Sequence, residues 1–260
     1  MTKNQIAEII FEGLFINERR SSSTLLDIPK IRGYITPISD AWANRVSSSE
    51  NKISIEKIRE VQQFFNESNS GFTWAVTEEQ IARNLPQLLL SCGLKPARYH
   101  QVAGMALQHT RTHNSPRIND NIVVRECDQK TLEQNIDAVI KASGISNEAY
   151  IRHIMAKDKQ IQTKVFFSYL SSETEPTGYA KSCHLRDGTI HMLMGAAVKP
   201  EHRNRGTYTA LLQHRISEAE SEGVYTHITQ SLRSSSFSTC TRFGFKEICS
   251  LEFYEWNPKN

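Results

Sequence analysis

One junction constrains this chain more than any other. Residues Thr189 to Val198 read as a strand, and the turn Lys199-Pro200-Glu201-His202-Arg203-Asn204-Arg205-Gly206 leads directly into a helical run. Tyr208, Leu211, Leu212, Ile216 and Ala219 share one face of that run, which stops at Gly223. The first amides of such a helix lack an intrahelical acceptor, and its aligned peptide dipoles place roughly half a positive charge at that end. The turn therefore predicts an anion site. Gly206 would let a ligand approach the backbone closely, and Arg203 and Arg205 add guanidinium donors suited to phosphate oxygens. The competing reading is a solvated basic turn at an ordinary strand–helix junction.

Around this junction the order of elements is regular. Ile122-Val123-Val124 predicts a short strand. Leu132, Ile136, Val139 and Ile140 form a helical stripe ending at Gly144, and Asn147 to Asp158 predicts a second helix. Strands are predicted at Val165–Leu170, Thr177–Leu185 and Thr189–Val198, with Asp187-Gly188 as a hairpin signal. After the long helix come a strand at Tyr225–Leu232, a short helix from about Ser235 to Phe243 and a strand at Lys246–Trp256.

The N-terminal part is less regular. Helical patterns run from Lys3 to Phe15 and from Ile53 to Phe65, the second with Ser54 as cap. The run Ser21-Ser22-Ser23 predicts a loop, and Gly71–Val76 a strand. Thr77 and Gln80 have capping-box spacing, and Pro86 predicts a kinked or late-starting helix that ends at Gly93. A length of 260 residues suits two domains. The polar, proline-interrupted stretch from Thr110 to Asp120 is the natural linker, so we expect domains at 1–115 and 116–260.

Composition narrows the function. A net charge of +3 is far from the basic excess that makes nucleic acid a default partner, so any anion site must be local. The five cysteines form no C-x-x-C pair and have no histidine at zinc spacing, which predicts reduced thiols and no metal. No apolar run is long enough to span a bilayer, which predicts an intracellular, cytoplasmic protein without a membrane partner. Neither G-x-x-x-x-G-K-[ST] nor G-x-G-x-x-G occurs after a strand, which removes the P-loop and dinucleotide readings.

Arg203-Asn204-Arg205-Gly206-Thr207-Tyr208, preceded by Met194-Gly195-Ala196-Ala197-Val198, resembles the Q/R-x-x-G-x-G/A motif with which the GNAT superfamily of N-acetyltransferases binds acetyl-CoA. Tyr208 departs from the final Gly/Ala. Arg242-Phe243-Gly244-Phe245-Lys246 is similar to the family's turn before its last strand, so the resemblance covers about residues 121–256. Phe64-Phe65, Gly71-Phe72-Thr73-Trp74 and Gly104-Met105-Ala106-Leu107 are similar to the degenerate N-terminal half of tandem members. No R-x-x-G turn occurs there, and we expect that half to lack an acetyl-CoA site.

The resemblance implies a mixed α/β fold and direct attack of an amine on the thioester. The cosubstrate would be held by Arg203, Asn204, Arg205, Gly206, Thr207, Tyr208 and Ser236, and by the backbone of Ala197 and Val198. The position at which the family carries its acidic tyrosine is Cys240, so Cys240 is the candidate proton donor, with Ser236 and Tyr208 as hydroxyls nearby. For the base, ordered water and the strand histidines stand as alternatives, His227 being the one expected closer to the cleft and His191 facing away from Met192. Two functions follow: an acetyl-CoA-dependent N-acetyltransferase of a primary amine on a small molecule or protein, or a non-catalytic module of the same fold that binds CoA or a protein.

Overall fold

The computed structural model describes residues 1–50, 52–108, 119–156 and 160–258. The chain divides into two compact units. The first comprises Met1–Gly104, Ser231–Ser234 and Glu247–Asn260, and the second Met105–Gln230 and Ser235–Lys246. The expected boundary between 115 and 116, with most of the expected linker, lies outside the described residues.

The first unit begins with α1 (Lys3–Gly13), capped by a reciprocal Thr2–Gln5 box. There follow β1 (Thr24–Leu25), β2 (Ile31–Ile35), β3 (Arg45–Ser48), α2 (Ile55–Glu67), β4 (Phe72–Thr77), α3 (Glu78–Ala82), α4 (Leu85–Ser91) and β5 (Lys95–Gln108). Ser54 and Thr77 cap α2 and α3 as their spacing predicts. Pro86 starts α4 afresh after Asn84 turns left-handed (φ 61°), which splits the expected helix in two.

The second unit carries β6 (Ile122–Glu126), α5 (Gln129–Gln134), α6 (Ile136–Ser143), α7 (Glu148–Met155), β7 (Lys164–Leu170), β8 (Gly178–Leu185), β9 (Ile190–Val198), α8 (Thr207–Ser221), β10 (Thr226–Leu232) and α9 (Phe237–Arg242). The single stripe expected from Leu132 to Ile140 is two helices. They part at Asn135, whose side-chain amide donates to the Thr131 carbonyl (2.9 Å). The last strand, β11 (Lys246–Trp256), pairs antiparallel with β4 from Leu251↔Thr77 to Trp256↔Phe72, so it completes the sheet of the first unit.

That sheet has the order β1-β2-β3-β4-β11-β5. Val46, Trp74 and Tyr254 stand abreast in register and face one layer, where Ile58, Val61 and Phe65 of α2 meet them with Leu85 and Leu89 of α4. The second unit's sheet runs β10-β9-β8-β7-β6. Strand alternation sorts its core: Val165, Phe167 and Tyr179 pack against α5–α7, whereas Phe166, Ala180 and Val198 pack against Leu211 of α8. Both faces are therefore buried, which makes this a mixed α/β protein.

Candidate functional site

β9 has different partners on its two sides. With β8 it pairs antiparallel over its whole length, with an irregularity between Ala180 and Lys181: Ala180 faces Ala196 and Lys181 faces Met194, leaving Gly195 as the extra residue. With β10 it pairs parallel only at His191↔His227, Met192↔Ile228 and Leu193↔Thr229. The Thr229 hydroxyl donates to the Leu193 carbonyl (3.2 Å). The register stops there although β9 runs on to Val198, so the two strands form a fork, closed at the histidines and open toward the turn.

The turn after β9 is built to present backbone donors. A short 3-10 segment, Pro200–His202, leads to Asn204 (φ 60°) and Gly206 (φ 89°), and Gly206 is the N-cap of α8. A Cβ at 206 would meet only Asn119 Cβ at 3.6 Å and Ile122 Cδ1 at 3.9 Å, so conformation and not space requires glycine. A glycine cap offers no side-chain acceptor, and the first turn of α8 carries no acid. The first amides of this 15-residue helix therefore face outward with the positive end of its dipole.

Neighbouring bonds hold the turn in shape. Arg203 Nε donates to the Val198 carbonyl (3.1 Å), Asn119 Nδ2 to the Arg205 carbonyl (3.2 Å), and Thr207 Oγ1 to the His202 carbonyl (3.3 Å). Buried Lys199 reaches Glu175 (2.9 Å) and holds that carboxyl below its ordinary range. Arg203, Asn204 and Arg205 are exposed, and Thr207 is buried. Six of the expected contact residues, 203 to 208, thus lie together, and the charged ones among them are both arginines.

Tyr208 points from α8 toward α9. Its hydroxyl lies 3.8 Å from Cys240 Sγ, and Cys240 is fully buried. Burial first, and then the Cys240 thiol, push the phenol pKa well above its ordinary value, so Tyr208 is a protonated donor at neutral pH. Ser236 occupies the N-cap of α9 and makes no side-chain cap bond; it faces the Tyr208 phenol instead. Ala197 and Val198, on the open stretch of β9, are opposite Tyr179 and Gly178 of β8.

Two features escaped the sequence. Arg215 is 1% exposed on α8: its Nε donates to the Leu211 carbonyl (3.0 Å), and its Nη1 to those of Lys181 (2.9 Å) and Met194 (3.3 Å). A buried guanidinium thus spans the irregularity beside Gly195. The signal was present as a charge on the apolar stripe of the helix. The second feature is the pair His191–His227, with Nδ1 atoms 3.0 Å apart at the closed end of the fork. His227 therefore does not lie toward the open cleft, as expected, but is buried against His191 and 3.8 Å from Glu220.

The pair makes stability depend on pH. Burial above all, then His227, Arg215, His184 and Lys164, push the His191 pKa down to about 2. A depressed histidine favours the fold above its ordinary pKa of ~6.5 and loses that contribution as pH falls, because the unfolded chain binds the proton first. We expect about 2 kcal/mol less stability at pH 5 than at pH 7 from this group, read as a lower urea midpoint. His191→Asn should flatten that dependence; an equal slope in the variant would remove the assignment.

The first unit contains a second parallel pair joined through a helix, β3 and β4 with α2 between them, and its end is sewn shut. Ser47 Oγ donates to the Ala75 carbonyl (2.8 Å), and buried Gln80 donates to those of Ser48 (3.0 Å) and Glu50 (3.2 Å). Among the described residues, no cluster of three or more side chains could hold a metal ion, and no helix is long and apolar enough to cross a membrane.

Residues 137–245 match the family model described as Acetyltransferase (GNAT) family. No curated protein matches the chain. Among solved structures, a functionally unknown conserved protein from Staphylococcus epidermidis is 11% identical, with TM-score 0.69 over 96% of this chain and 98% of its own. A GCN5-related N-acetyltransferase from Kribbella flavida is 13% identical, with TM-score 0.65 over 98% and 95%. A tandem GNAT protein from the clavulanic acid biosynthesis pathway is 11% identical, with TM-score 0.54 over 100% and 98%. These likenesses extend the shared fold over nearly the whole chain.

Proposed function

We propose that this chain, whose residues 137–245 match the GNAT family model, transfers an acetyl group from acetyl-CoA to a primary amine. The work falls to the C-terminal domain expected at 116–260, less the β11 strand that joins the first unit, while the N-terminal part serves as a degenerate half. The observation that carries this reading is the fork between β9 and β10, open beside the uncapped N-terminus of α8. The pyrophosphate would take the amides of 206–208 with Arg203 and Arg205 at its rim. The pantetheine arm would lie along Ala197 and Val198, where strand amides can also donate to the developing oxyanion. As the neutral amine attacks, the C–N bond forms and the C–S bond breaks; the amine proton leaves to water, and the CoA thiolate takes a proton from the hydroxyl–thiol pair Tyr208–Cys240.

A CoA-binding module without turnover is the second reading, favoured by the fully buried thiol at 240. Release of CoA thiol from acetyl-CoA across a panel of primary amines separates the two: release above the hydrolytic background supports transfer, and a melting shift without release supports the module. Tyr208→Phe should lower kcat by ~10²-fold or more if its hydroxyl lies on the proton path. Cys240→Ser, which keeps a donor behind it, should cost much less. Equal losses in both variants would reassign the donor to Cys240.

A further inference from the structure

We propose that Arg45, Trp42, Tyr99 and Phe253 of the first unit form a binding site for a small organic carboxylate with a flat body. Arg45 opens β3, beside Tyr34 of β2 and Thr73 of β4, on the sheet face opposite the Val46–Trp74–Tyr254 core. It is 9% exposed. Its guanidinium carbon sits 4.9 Å from the Phe253 ring centre and 5.3 Å from that of Trp42. Yet its Nε and Nη1 have no hydrogen-bond partner, and neither has the buried Trp42 Nε1.

The contrast with Arg215 shows what is missing. Arg215, also buried, places its Nε and Nη1 on three backbone carbonyls. Arg45 has no carboxylate within ion-pair distance among the described residues. Glu18 is claimed by Arg32 (2.8 and 2.9 Å), and Glu255, level with Arg45 through Thr73, lies two strands away. Tyr34 accepts a side-chain hydrogen bond from Arg45 but supplies no negative charge, since burial keeps its phenol protonated. Burying a guanidinium with two of its three nitrogens unsatisfied is costly unless an anion completes it. The aromatic faces supply part of the stabilisation but take no N–H in the plane of the guanidinium.

The walls define the ligand. Trp42 and Tyr99 are half-exposed with ring centres 5.3 Å apart, whereas Arg45 and Phe253 are buried behind them. Arg45 and the Trp42 N–H lie covered beneath these rings, so a ligand entering from solvent would part the Trp42–Tyr99 edge contact, stack its body on the rings and reach both groups with its acceptor end. One guanidinium balances one negative charge. A dianionic phosphate in this apolar setting would leave a charge uncompensated, so a carboxylate fits better.

The inference is independent of acyl transfer. Calorimetric titration of the full chain with benzoate, acetate and inorganic phosphate tests it, together with the Arg Nε–H cross-peaks in proton–nitrogen NMR. We expect saturable benzoate binding, weaker acetate binding and none for phosphate, with one Nε–H peak moving on benzoate addition and absent in Arg45→Gln. Arg45→Gln should weaken benzoate by about tenfold or more, while leaving the acetyl-CoA melting shift unchanged. Trp42→Phe, which keeps a ring and removes the N–H, should weaken it by a smaller factor and decides the matter if Arg45→Gln fails to fold. A static Nε–H peak, an unchanged benzoate affinity in Arg45→Gln, or binding of phosphate alone would overturn the proposal.

Discussion

Gly206→Val will abolish the stabilisation that acetyl-CoA confers on the wild-type chain. At about 100 times its dissociation constant a ligand adds ~2.7 kcal/mol, or roughly 5–10 °C in melting temperature for a chain of this size. Valine cannot hold φ 89° without strain of about 1–3 kcal/mol. The open surroundings, with the nearest atom 3.6 Å away, mean that the strain is relieved by rotating the turn and not by unfolding. The rotation swings the first amides of α8 off the common point at which they converge. Arg205→Glu is the companion, since it keeps the backbone and reverses the rim charge. Differential scanning calorimetry with and without acetyl-CoA separates ligand increment from intrinsic stability; a full increment in both variants would move the anion site elsewhere.

Arg215→Met will be the most destabilising single substitution near the site. Methionine fills much of the same volume but leaves the Lys181 and Met194 carbonyls without their guanidinium donor. Each buried, unsatisfied carbonyl costs about 1–3 kcal/mol, partly offset because a desolvated charge is also removed, so a net loss of about 2–4 kcal/mol is expected. Arg215→Lys should recover only a fraction, because one ammonium cannot span carbonyls from two strands and its own helix as a guanidinium does. Urea unfolding reads the loss, and a wild-type midpoint for Arg215→Met would show that β9 holds its irregularity by other means.

Much of this architecture was legible because its local signals agree with one another. The helix caps at Ser54 and Thr77, the glycines that end helices at 93, 144 and 223, and the turn at Asp187-Gly188 are short-range devices, and each occurs where its residues predict. The fork's turn was readable for the same reason: a positive-φ glycine, two arginines and a helix start are contiguous in the chain. What could not be read depends on distant partners. β3 is only Arg-Val-Ser-Ser, and it becomes a strand because β2 and β4 flank it. Asn135 breaks a helix that periodicity would continue. The histidines looked like isolated strand residues until the parallel register of β9 and β10 set them side by side.

The position of β11 has a consequence for the order in which the molecule can be made. Within the first unit's sheet it lies between β4 and β5, yet it is synthesised after every residue of the second unit except Lys246 itself. As the nascent chain emerges, β4 and β5 must wait with unpaired backbone edges while α5 through α9 are still being added, a long-range closure of the kind that folds slowly and exposes edges to misassembly. The second unit can condense on its own contacts in the meantime. The half that comes first off the ribosome is thus the half that finishes last.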